Sequence, residues 1–198
     1  MTDLGAHLLT LSAHKLGGPM GVGALVIEDG VSLDARLKGG GQERGLRAGT
    51  ENVAGIAGFG AAAEAAMAEI EQFGRIGAWR DALEARAKAA VPTARVLGAG
   101  AKRLPNTSCL ALPGVAAETQ VIALDLAGVA VSAGSACSSG KVGPSHVLAA
   151  MGLDQDLAGA AIRVSFGWSS EAADVERFLR AWTALAARTA RGARESAA

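Results

Sequence analysis

One lysine and one cysteine stand in short loops of small residues that suit covalent chemistry. Lys15 ends a Ser-Ala-His-Lys run at 12–15 and is followed by Leu-Gly-Gly-Pro. The apolar run at 8–11 predicts a strand, and open α/β sheets bind ligands beyond the carboxyl ends of their strands. A desolvated lysine there offers a neutral amine for Schiff-base chemistry. Position alone also fits a surface lysine in a turn.

The cysteine of interest is Cys137, in the run Ser-Ala-Gly-Ser-Ala-Cys-Ser-Ser-Gly at 132–140. Such a loop provides no core to bury a thiol and predicts an accessible nucleophile. The other cysteine, Cys109, stands in the apolar strand pattern at 107–112 and is expected to pack in the core. The two form no CxxC pair, so we expect no disulfide and a reducing, cytoplasmic setting.

A third segment, 39–50, combines glycine, arginine and threonine in a pattern that suits an anion. It consists of Gly-Gly-Gly-Gln-Glu-Arg-Gly-Leu-Arg-Ala-Gly-Thr. Glycine lets the backbone approach a ligand closely, and Arg44 and Arg47 can pair with an anion. Thr50 is predicted to cap the helix that follows, whose first N–H groups favour a phosphate. A flexible loop with an ordinary threonine cap fits the same residues.

Strands and helices alternate along the chain, which predicts an α/β fold. Apolar runs predict strands at 8–11, 22–27, 95–97, 107–112, 129–132 and 162–166. Helical spacing predicts helices at 53–70, 78–90, 118–126, 144–151 and, after a capping Ser170, a last helix that frays from Arg188. Two strands and one helix cannot complete a sheet buried on both faces. We therefore expect an incomplete domain at 1–65 and a complete small α/β domain at 66–198.

Four segments together resemble the cysteine desulfurases of the class V aminotransferase family. Residues 12–15 resemble that family's cofactor-lysine motif, and 39–50 resembles the loop that contributes a threonine to the cofactor phosphate. Residues 135–140, followed by Pro-Ser-His-Val-Leu at 144–148, resemble the catalytic-cysteine loop. Ile-Arg-Val-Ser-Phe-Gly at 162–167 resembles the segment whose arginine clamps the substrate carboxylate. Because the four motifs occur in the family's order and spacing, the resemblance is strong.

The resemblance implies a pyridoxal 5'-phosphate enzyme that removes sulfur from L-cysteine and gives alanine and an enzyme-bound persulfide. Lys15 is then the cofactor lysine and general base, Cys137 the sulfur-accepting nucleophile and Arg163 the carboxylate clamp. The other residues expected to bind the cofactor are Ser12, His14 and Thr50. His146, after the cysteine loop, is a candidate proton carrier or an ordinary helix histidine.

The same resemblance implies a fold and a set of partners. Residues 1–65 correspond to the end of the large domain of a fold type I pyridoxal-phosphate enzyme, and 66–198 to its small domain. A homodimer is expected, with Thr50 serving the neighbouring subunit, together with a sulfur-acceptor or scaffold protein for iron–sulfur cluster assembly or other sulfur transfer. No resident metal is expected, although a persulfide on Cys137 could ligate an iron–sulfur cluster transiently.

Composition argues against several other classes of function. Lys plus Arg and Asp plus Glu both number 19, and no dense basic block occurs, so we expect no nucleic-acid partner. The longest apolar run, at 53–63, is too short to span a bilayer, and we expect no membrane association and no signal peptide.

Members of the resembled family are much longer, and their N-terminal half supplies a ring-stacking His and an Asp for the pyridine nitrogen. We therefore expect a fragment, or a chain that a partner completes, and weak cofactor binding by the 198 residues alone. Two alternatives stay open. One is an inactive fragment that acts only as a binding domain, and the other is a selenocysteine lyase-like enzyme.

Overall fold

The computed structural model describes residues 2–71, 73–134 and 145–195 and divides the chain into two compact units. Unit 1 comprises Met1–Glu71, and unit 2 comprises Gln72–Ala198. The predicted boundary after residue 65 falls inside the last helix of unit 1, so the division lies a few residues later.

Unit 1 is built on an antiparallel β-hairpin. Strand β1 (Leu8–Ser12) pairs with β2 (Gly23–Ile27), and both strands follow the predicted apolar runs. The chain then passes through a long loop to helix α1 (Val53–Ala68). Short 3₁₀ turns lie at Thr2–Leu4, Ala13–Leu16 and Gln42–Gly45.

Helix α1 begins later than its predicted cap. Asn52, not Thr50, is the N-cap, and its Oδ1 accepts a hydrogen bond from the Gly55 N–H at 3.1 Å. The expectation that Thr50 caps the helix is therefore wrong. Both residue types cap helices well, but only the residue directly before the first helical position can reach the N–H of the third. The Thr50 hydroxyl is left unused by the helix.

Unit 2 combines one sheet with five helices among its described residues. The strands are β3 (Arg95–Leu97), β4 (Thr107–Ala111), β5 (Ser132–Ala133) and β6 (Ala161–Ser165). The helices are α2 (Phe73–Ala90), α3 (Ala117–Leu126), α4 (His146–Ala150), α5 (Gln155–Gly159) and α6 (Ala172–Glu195). The strand order is β3-β4-β6-β5, and every pair is antiparallel.

Helices cover both faces of this sheet. One face belongs to the main core, which it shares with residues of α2, α3 and α6 and whose members include Leu110, Ile162, Val164 and Trp182. The other face belongs to a smaller cluster that contains Leu97, Ala111, Leu148, Ala158 and Ala161. Unit 2 therefore has the layered core expected of an independent domain.

A buried polar network runs through the main core. Gln120 and Trp182 are both fully buried. The Gln120 Nε2 donates to the carbonyl oxygens of Val115 at 3.0 Å and Ala160 at 2.7 Å, and the Trp182 Nε1 donates to the Gln120 Oε1 at 3.0 Å. Because both amide hydrogens and the amide oxygen have partners, burying this side chain leaves no unsatisfied polar atom.

Two strand and helix predictions in unit 2 need correction. The strand predicted at 129–132 pairs only at Ser132–Ala133, since Val129 and Val131 pack against the main core without joining the sheet. Helix α5 was not predicted, because five residues are too few to show helical periodicity.

The start and the end of α6 also differ from the prediction. Ser170 does not cap the helix, because its Oγ accepts a hydrogen bond from the preceding Gly167 N–H at 2.9 Å. Instead, the Asp174 Oδ2 accepts from the Glu171 N–H at 3.0 Å. The predicted fraying from Arg188 is wrong, since the helix continues to Glu195.

Candidate functional site

Lys15 lies on the 3₁₀ turn that directly follows β1. The Ala13 N–H donates to the Val22 carbonyl at 3.1 Å, and the Gly18 N–H donates to the Ala13 carbonyl at 2.9 Å. A Cβ at Gly18 would lie 3.0 Å from the Ala13 Cβ, so glycine is needed for the chain to return this closely. Ala13 is fully buried, and the turn holds Lys15 at a defined position.

The polar side chains of this turn have no partners within the described residues. Ser12 precedes the turn, but its hydroxyl makes no capping hydrogen bond. His14 and Lys15 are exposed, and neither makes a hydrogen bond or ion pair in the part of the chain that the structure describes. A hydroxyl, an imidazole and a primary amine therefore stand together with bonding capacity for a ligand.

Thr50 is exposed, and its hydroxyl makes no hydrogen bond to any described residue. Arg47, which was predicted to pair with an anion, is used inside the loop instead. Its Nη1 donates to the Gly49 carbonyl at 2.7 Å, and its Nη2 lies 3.6 Å from the Glu43 Oε1. The loop therefore presents the hydroxyl of Thr50 rather than the charge of Arg47.

Arg163 lies on β6, and its side chain is exposed. Its register partners are Cys109 on β4 and Ser132 on β5. Residues directly opposite each other in an antiparallel pair point to the same face of the sheet. Among residues 73–134 and 145–195, the guanidinium of Arg163 has no hydrogen-bond or ion-pair partner. It is therefore available to bind a carboxylate with two parallel hydrogen bonds.

Cys109 is half-buried against the smaller cluster rather than fully enclosed. Burial raises the pKa of its thiol above the ordinary value, and the charge of Arg163 offsets this only in part. The thiol is therefore protonated at neutral pH, which makes it a poor nucleophile.

Cys137 and its neighbours at 135–144 lie outside the described residues. The element before them is β5, which places Ser132 opposite Arg163 and five positions ahead of Cys137. The element after them is α4, where the Ser145 Oγ accepts a hydrogen bond from the Leu148 N–H at 3.3 Å. His146 opens that helix and is exposed, and its part in proton transfer stays a prediction.

The predicted site residues fall into two groups. Those of unit 1 are Ser12, His14, Lys15 and Thr50, and Arg163 belongs to unit 2. Sequence reasoning missed Gln42, whose Oε1 accepts a hydrogen bond from the Gly49 N–H at 3.3 Å. No local pattern signals a side chain that binds the backbone seven positions later. It also missed Asn52, although an Asn directly before an apolar run is a recognisable cap signal.

Two cavities among the described residues have none of Ser12, His14, Lys15, Thr50 and Arg163 in their linings. An apolar cavity of about 650 Å³ in unit 1 is lined by residues that include Leu25, Leu37, Ile56 and Phe59. A groove of about 550 Å³ in unit 2 is lined by α2 and α6, with Arg86 and Glu176 among its residues. Arg47, a predicted anion-binding residue, lines the cavity of unit 1.

The described residues show neither a metal-binding cluster nor a single membrane-spanning helix. Within 2–71, 73–134 and 145–195, no group of three or more His, Cys, Asp or Glu side chains could hold a metal ion. In the same ranges no single helix is long and apolar enough to cross a membrane, and only α1 and α2 taken together pass by length and composition.

Comparison with known proteins gives the family. The aminotransferase class-V family model matches residues 1–178. The chain belongs to this family, which confirms the resemblance found in its motifs.

Individual relatives match over most of this chain. It is 48% identical over 172 residues to a cysteine desulfurase of Cereibacter sphaeroides, which covers 87% of this chain and 44% of that protein. It is 47% identical over 173 residues to a cysteine desulfurase of Gluconacetobacter diazotrophicus. This match covers 87% of this chain and 43% of that protein. The chain thus spans about half the length of the curated relatives it matches.

A solved structure shares the fold. The X-ray structure of a NifS-like protein from Rickettsia africae matches with a TM-score of 0.80 at 34% identity, over 91% of this chain and 48% of that one. The predicted α/β fold class is confirmed. The chain combines strands and helices, and its fold matches about half of the NifS-like structure.

Proposed function

We propose that this chain carries the lysine, the cysteine and the carboxylate-binding arginine of a cysteine desulfurase. The observation that carries the proposal is the position of Arg163. Its guanidinium has no hydrogen-bond or ion-pair partner among the described residues. In the sheet Arg163 pairs with Ser132, on the strand that leads to Cys137. A carboxylate-binding group close in the fold to the start of a thiol-bearing loop is what desulfuration of a free amino acid requires. The names of the relatives from Cereibacter and Gluconacetobacter support the same assignment.

The turn around Lys15 fits pyridoxal 5'-phosphate by the chemistry of its donors. Among the described residues the Lys15 amine has no partner and is available for the aldehyde, and the hydroxyls of Ser12 and Thr50 make no hydrogen bond there and are available for the phosphate. His14 adds an imidazole beside the amine. When bound, the cofactor supplies the electron sink for bond breaking at the Cα of an amino acid.

The roles of the protein residues follow from their chemistry. Arg163 orients the amino acid through two charge-assisted hydrogen bonds to its carboxylate. The Lys15 amine takes the proton from the substrate Cα. The Cys137 thiolate attacks the substrate sulfur, so the carbon–sulfur bond breaks, Cys137 holds a persulfide, and alanine is the other product.

The proposal includes partners and a compartment. The protein acts on L-cysteine as a homodimer in which Thr50 serves the neighbouring subunit, and Cys137 passes its sulfur to an acceptor or scaffold protein for iron–sulfur cluster assembly or other thiolation. The cytoplasm is the proposed compartment, since Cys109 is a free thiol and the sequence has no CxxC pair.

A second candidate is a non-catalytic binding fragment, and one observation favours it. Leu8 and Leu25 of the hairpin each remain 45% exposed, in a chain that spans about half the length of its relatives. Exposed apolar strands of this kind are surfaces for association rather than for chemistry.

A chimera separates the two candidates. The matching C-terminal part of the Cereibacter desulfurase is replaced by this chain, and alanine and sulfide formed from L-cysteine are measured. We expect activity in the chimera, none with Cys137→Ala, and near-normal activity with the matched control Cys109→Ala. Arg163→Ala should raise KM for cysteine by roughly ten- to a hundredfold, the loss of a charge-assisted pair.

The outcomes divide the hypotheses clearly. A folded, cofactor-loaded chimera without alanine production favours the binding fragment. Sulfide release that survives Cys137→Ala removes the nucleophile assignment. Selenocysteine offered as a competing substrate shows which of the two amino acids the site prefers.

A further inference from the structure

The backbone of Gly49, directly before Thr50, is held from both sides by side chains. Its N–H donates to the Gln42 Oε1 at 3.3 Å, and its carbonyl accepts from the Arg47 Nη1 at 2.7 Å. Gly49 has a φ of +102°, in the left-handed region that glycine tolerates and other residues avoid. The two side chains therefore hold the peptide units on both sides of the Gly49 Cα. The second of these units contains the Thr50 nitrogen, so its orientation determines the position of Thr50.

Arg47 is itself fixed within the loop by further contacts. Arg47 also donates to the Ala48 carbonyl at 3.4 Å and lies beside the Glu43 carboxylate. Glu43 and Arg44 have φ values of +49° and +58°, which non-glycine residues adopt only when their surroundings hold them there. The loop is thus a built conformation rather than a slack connection.

Helix formation does not explain this arrangement. Asn52 caps α1, so the helix does not use the Thr50 hydroxyl. Thr50 is exposed and has no hydrogen-bond partner among the described residues. The loop therefore holds in place a residue whose polar group serves nothing within unit 1.

We infer that Gln42 and Arg47 are positioning residues, which hold the Thr50 hydroxyl for the phosphate of the cofactor. The inference rests on the proposed function and extends it, since Arg47 acts through the Gly49 carbonyl and not by pairing with the phosphate. Neither side chain touches the cofactor. Their effect is therefore specific to the phosphate and leaves the reactivity of Lys15 toward an aldehyde unchanged.

The test compares two aldehydes that differ only in the phosphate, pyridoxal phosphate and pyridoxal. The chimera that carries this chain in place of the matching part of the Cereibacter desulfurase is incubated with each aldehyde, reduced with borohydride and digested. The label on Lys15 is then measured by mass spectrometry. Exposed Lys88 and Lys102 of unit 2 correct for the intrinsic reactivity of each aldehyde. We expect the phosphate form to be preferred at Lys15 by about tenfold, the effect of one hydrogen bond to a charged group.

The variants assign that preference to residues. Thr50→Val, Gln42→Ala and Arg47→Gln should each abolish it while labelling by pyridoxal stays unchanged. Arg47→Lys, which can still donate to the Gly49 carbonyl, should restore part of it. Arg36→Gln is the matched control, since it removes the same charge from the same unit outside the loop and should keep the full preference.

Each result decides the matter. If the preference is lost in Thr50→Val but kept in Gln42→Ala and Arg47→Gln, the positioning role is wrong and the proposed function stands. If the unmodified chimera shows no preference, the phosphate role of Thr50 in the proposed function fails, and the inference fails with it. If pyridoxal labelling falls together with the preference, the loop only supports folding, which also overturns the inference.

Discussion

Units 1 and 2 differ in what holds their chains in place. In unit 2 large side chains such as Leu83, Leu110 and Trp182 are fully buried in one core that includes both sheet and helices. In the described part of unit 1, Ala13 and Gly55 are the only buried residues. Unit 1 depends on the backbone instead. A Cβ at Gly23 would lie 2.6 Å from the Leu11 carbonyl oxygen, a contact that only glycine avoids.

The stable core and the residues proposed to bind the cofactor therefore lie in different units. The residues proposed to hold the cofactor lie in the unit with little buried apolar surface, and such regions open with small free energies. The residue proposed to bind the substrate carboxylate, Arg163, lies on a sheet anchored by a full core. We infer that unit 2 is the more stable part of the chain.

The sharpest test of the comparison removes one leucine from each unit. Leu83→Ala should destabilise unit 2 by about 2–5 kcal/mol, because the side chain is fully buried and leaves a cavity. Leu25→Ala should not change this transition, since Leu25 is 45% exposed and lies in the hairpin. Tryptophan fluorescence during urea unfolding reports on unit 2 alone, because Trp79, Trp168 and Trp182 all lie there. Equal shifts in both variants would show that the two units unfold as one.

The second prediction concerns a buried ion pair in unit 2. Two hydrogen bonds join Arg103 to the Glu84 carboxylate at 2.7 and 3.0 Å. Burial alone would raise the pKa of Glu84, but the hydrogen bonds and charge of Arg103, together with Ser108 and Arg80, outweigh it, so the pKa lies below its usual value. Glu84→Gln should cost about 1–3 kcal/mol at neutral pH, the penalty for a partner left poorly satisfied.

The pH dependence of this pair has a definite sign. Because the folded-state pKa is lowered, the stabilisation is complete above the unfolded pKa of about 4.3 and is lost as pH falls through the folded value. Urea midpoints of the wild type and Glu84→Gln should therefore converge as the pH is lowered below about 4. A constant difference between them at all pH values would mean that the carboxylate charge contributes nothing.

Sequence patterns located most of the elements because their signals are local. The strands around Lys15 and Arg163 are short apolar runs bounded by glycine or polar residues, and the structure has them where the pattern indicates. Errors arose where a residue's actual contact differed from the one that its type suggests. Val129 and Val131 read as strand but pack on the core. Ser170 reads as a helix cap but binds the turn before it.

The candidate site shows the same division. Motifs gave the positions of Lys15 and Thr50, but they could not tell that neither side chain has a partner within the described residues. Likewise, the charge on Arg47 suggested an anion site, whereas its use in the loop depends on where the Gly49 carbonyl points. Residue type predicts what a group can do, and the folded chain decides what remains free to do it.

The third prediction tests the cap of α1 in unit 1. Asn52→Ala removes the hydrogen bond to the Gly55 N–H and should cost about 0.5–2 kcal/mol locally. Thr50→Val should have no such effect, because Thr50 is not the cap. Hydrogen exchange of the amides in the first turn of α1 measures this directly. Faster exchange in Thr50→Val than in Asn52→Ala would mean that Thr50 is the N-cap after all, as the sequence predicts.

The smallest effect is expected for a second arginine–glutamate pair, which has the same chemistry as Arg103 and Glu84 but lies in solvent. Arg86 and Glu176 join α2 to α6 by two hydrogen bonds, one of them at 2.7 Å, with side chains 50% and 57% exposed. Arg86 lowers the pKa of Glu176. Exposed pairs nevertheless contribute little, because water and salt screen the charges and two long side chains must be ordered.

Glu176→Gln should therefore leave the urea midpoint of unit 2 unchanged at low and at high salt, while Glu84→Gln lowers it under both conditions. The two variants remove the same charge from the same type of pair in the same unit. A difference between their urea midpoints therefore reports the effect of burial, since the Glu84 and Arg103 side chains are only 11% and 20% exposed. If Glu176→Gln lowers the midpoint as far as Glu84→Gln does, the contact between α2 and α6 depends on charge. An exposed ion pair would then stabilise unit 2 as much as the buried pair does.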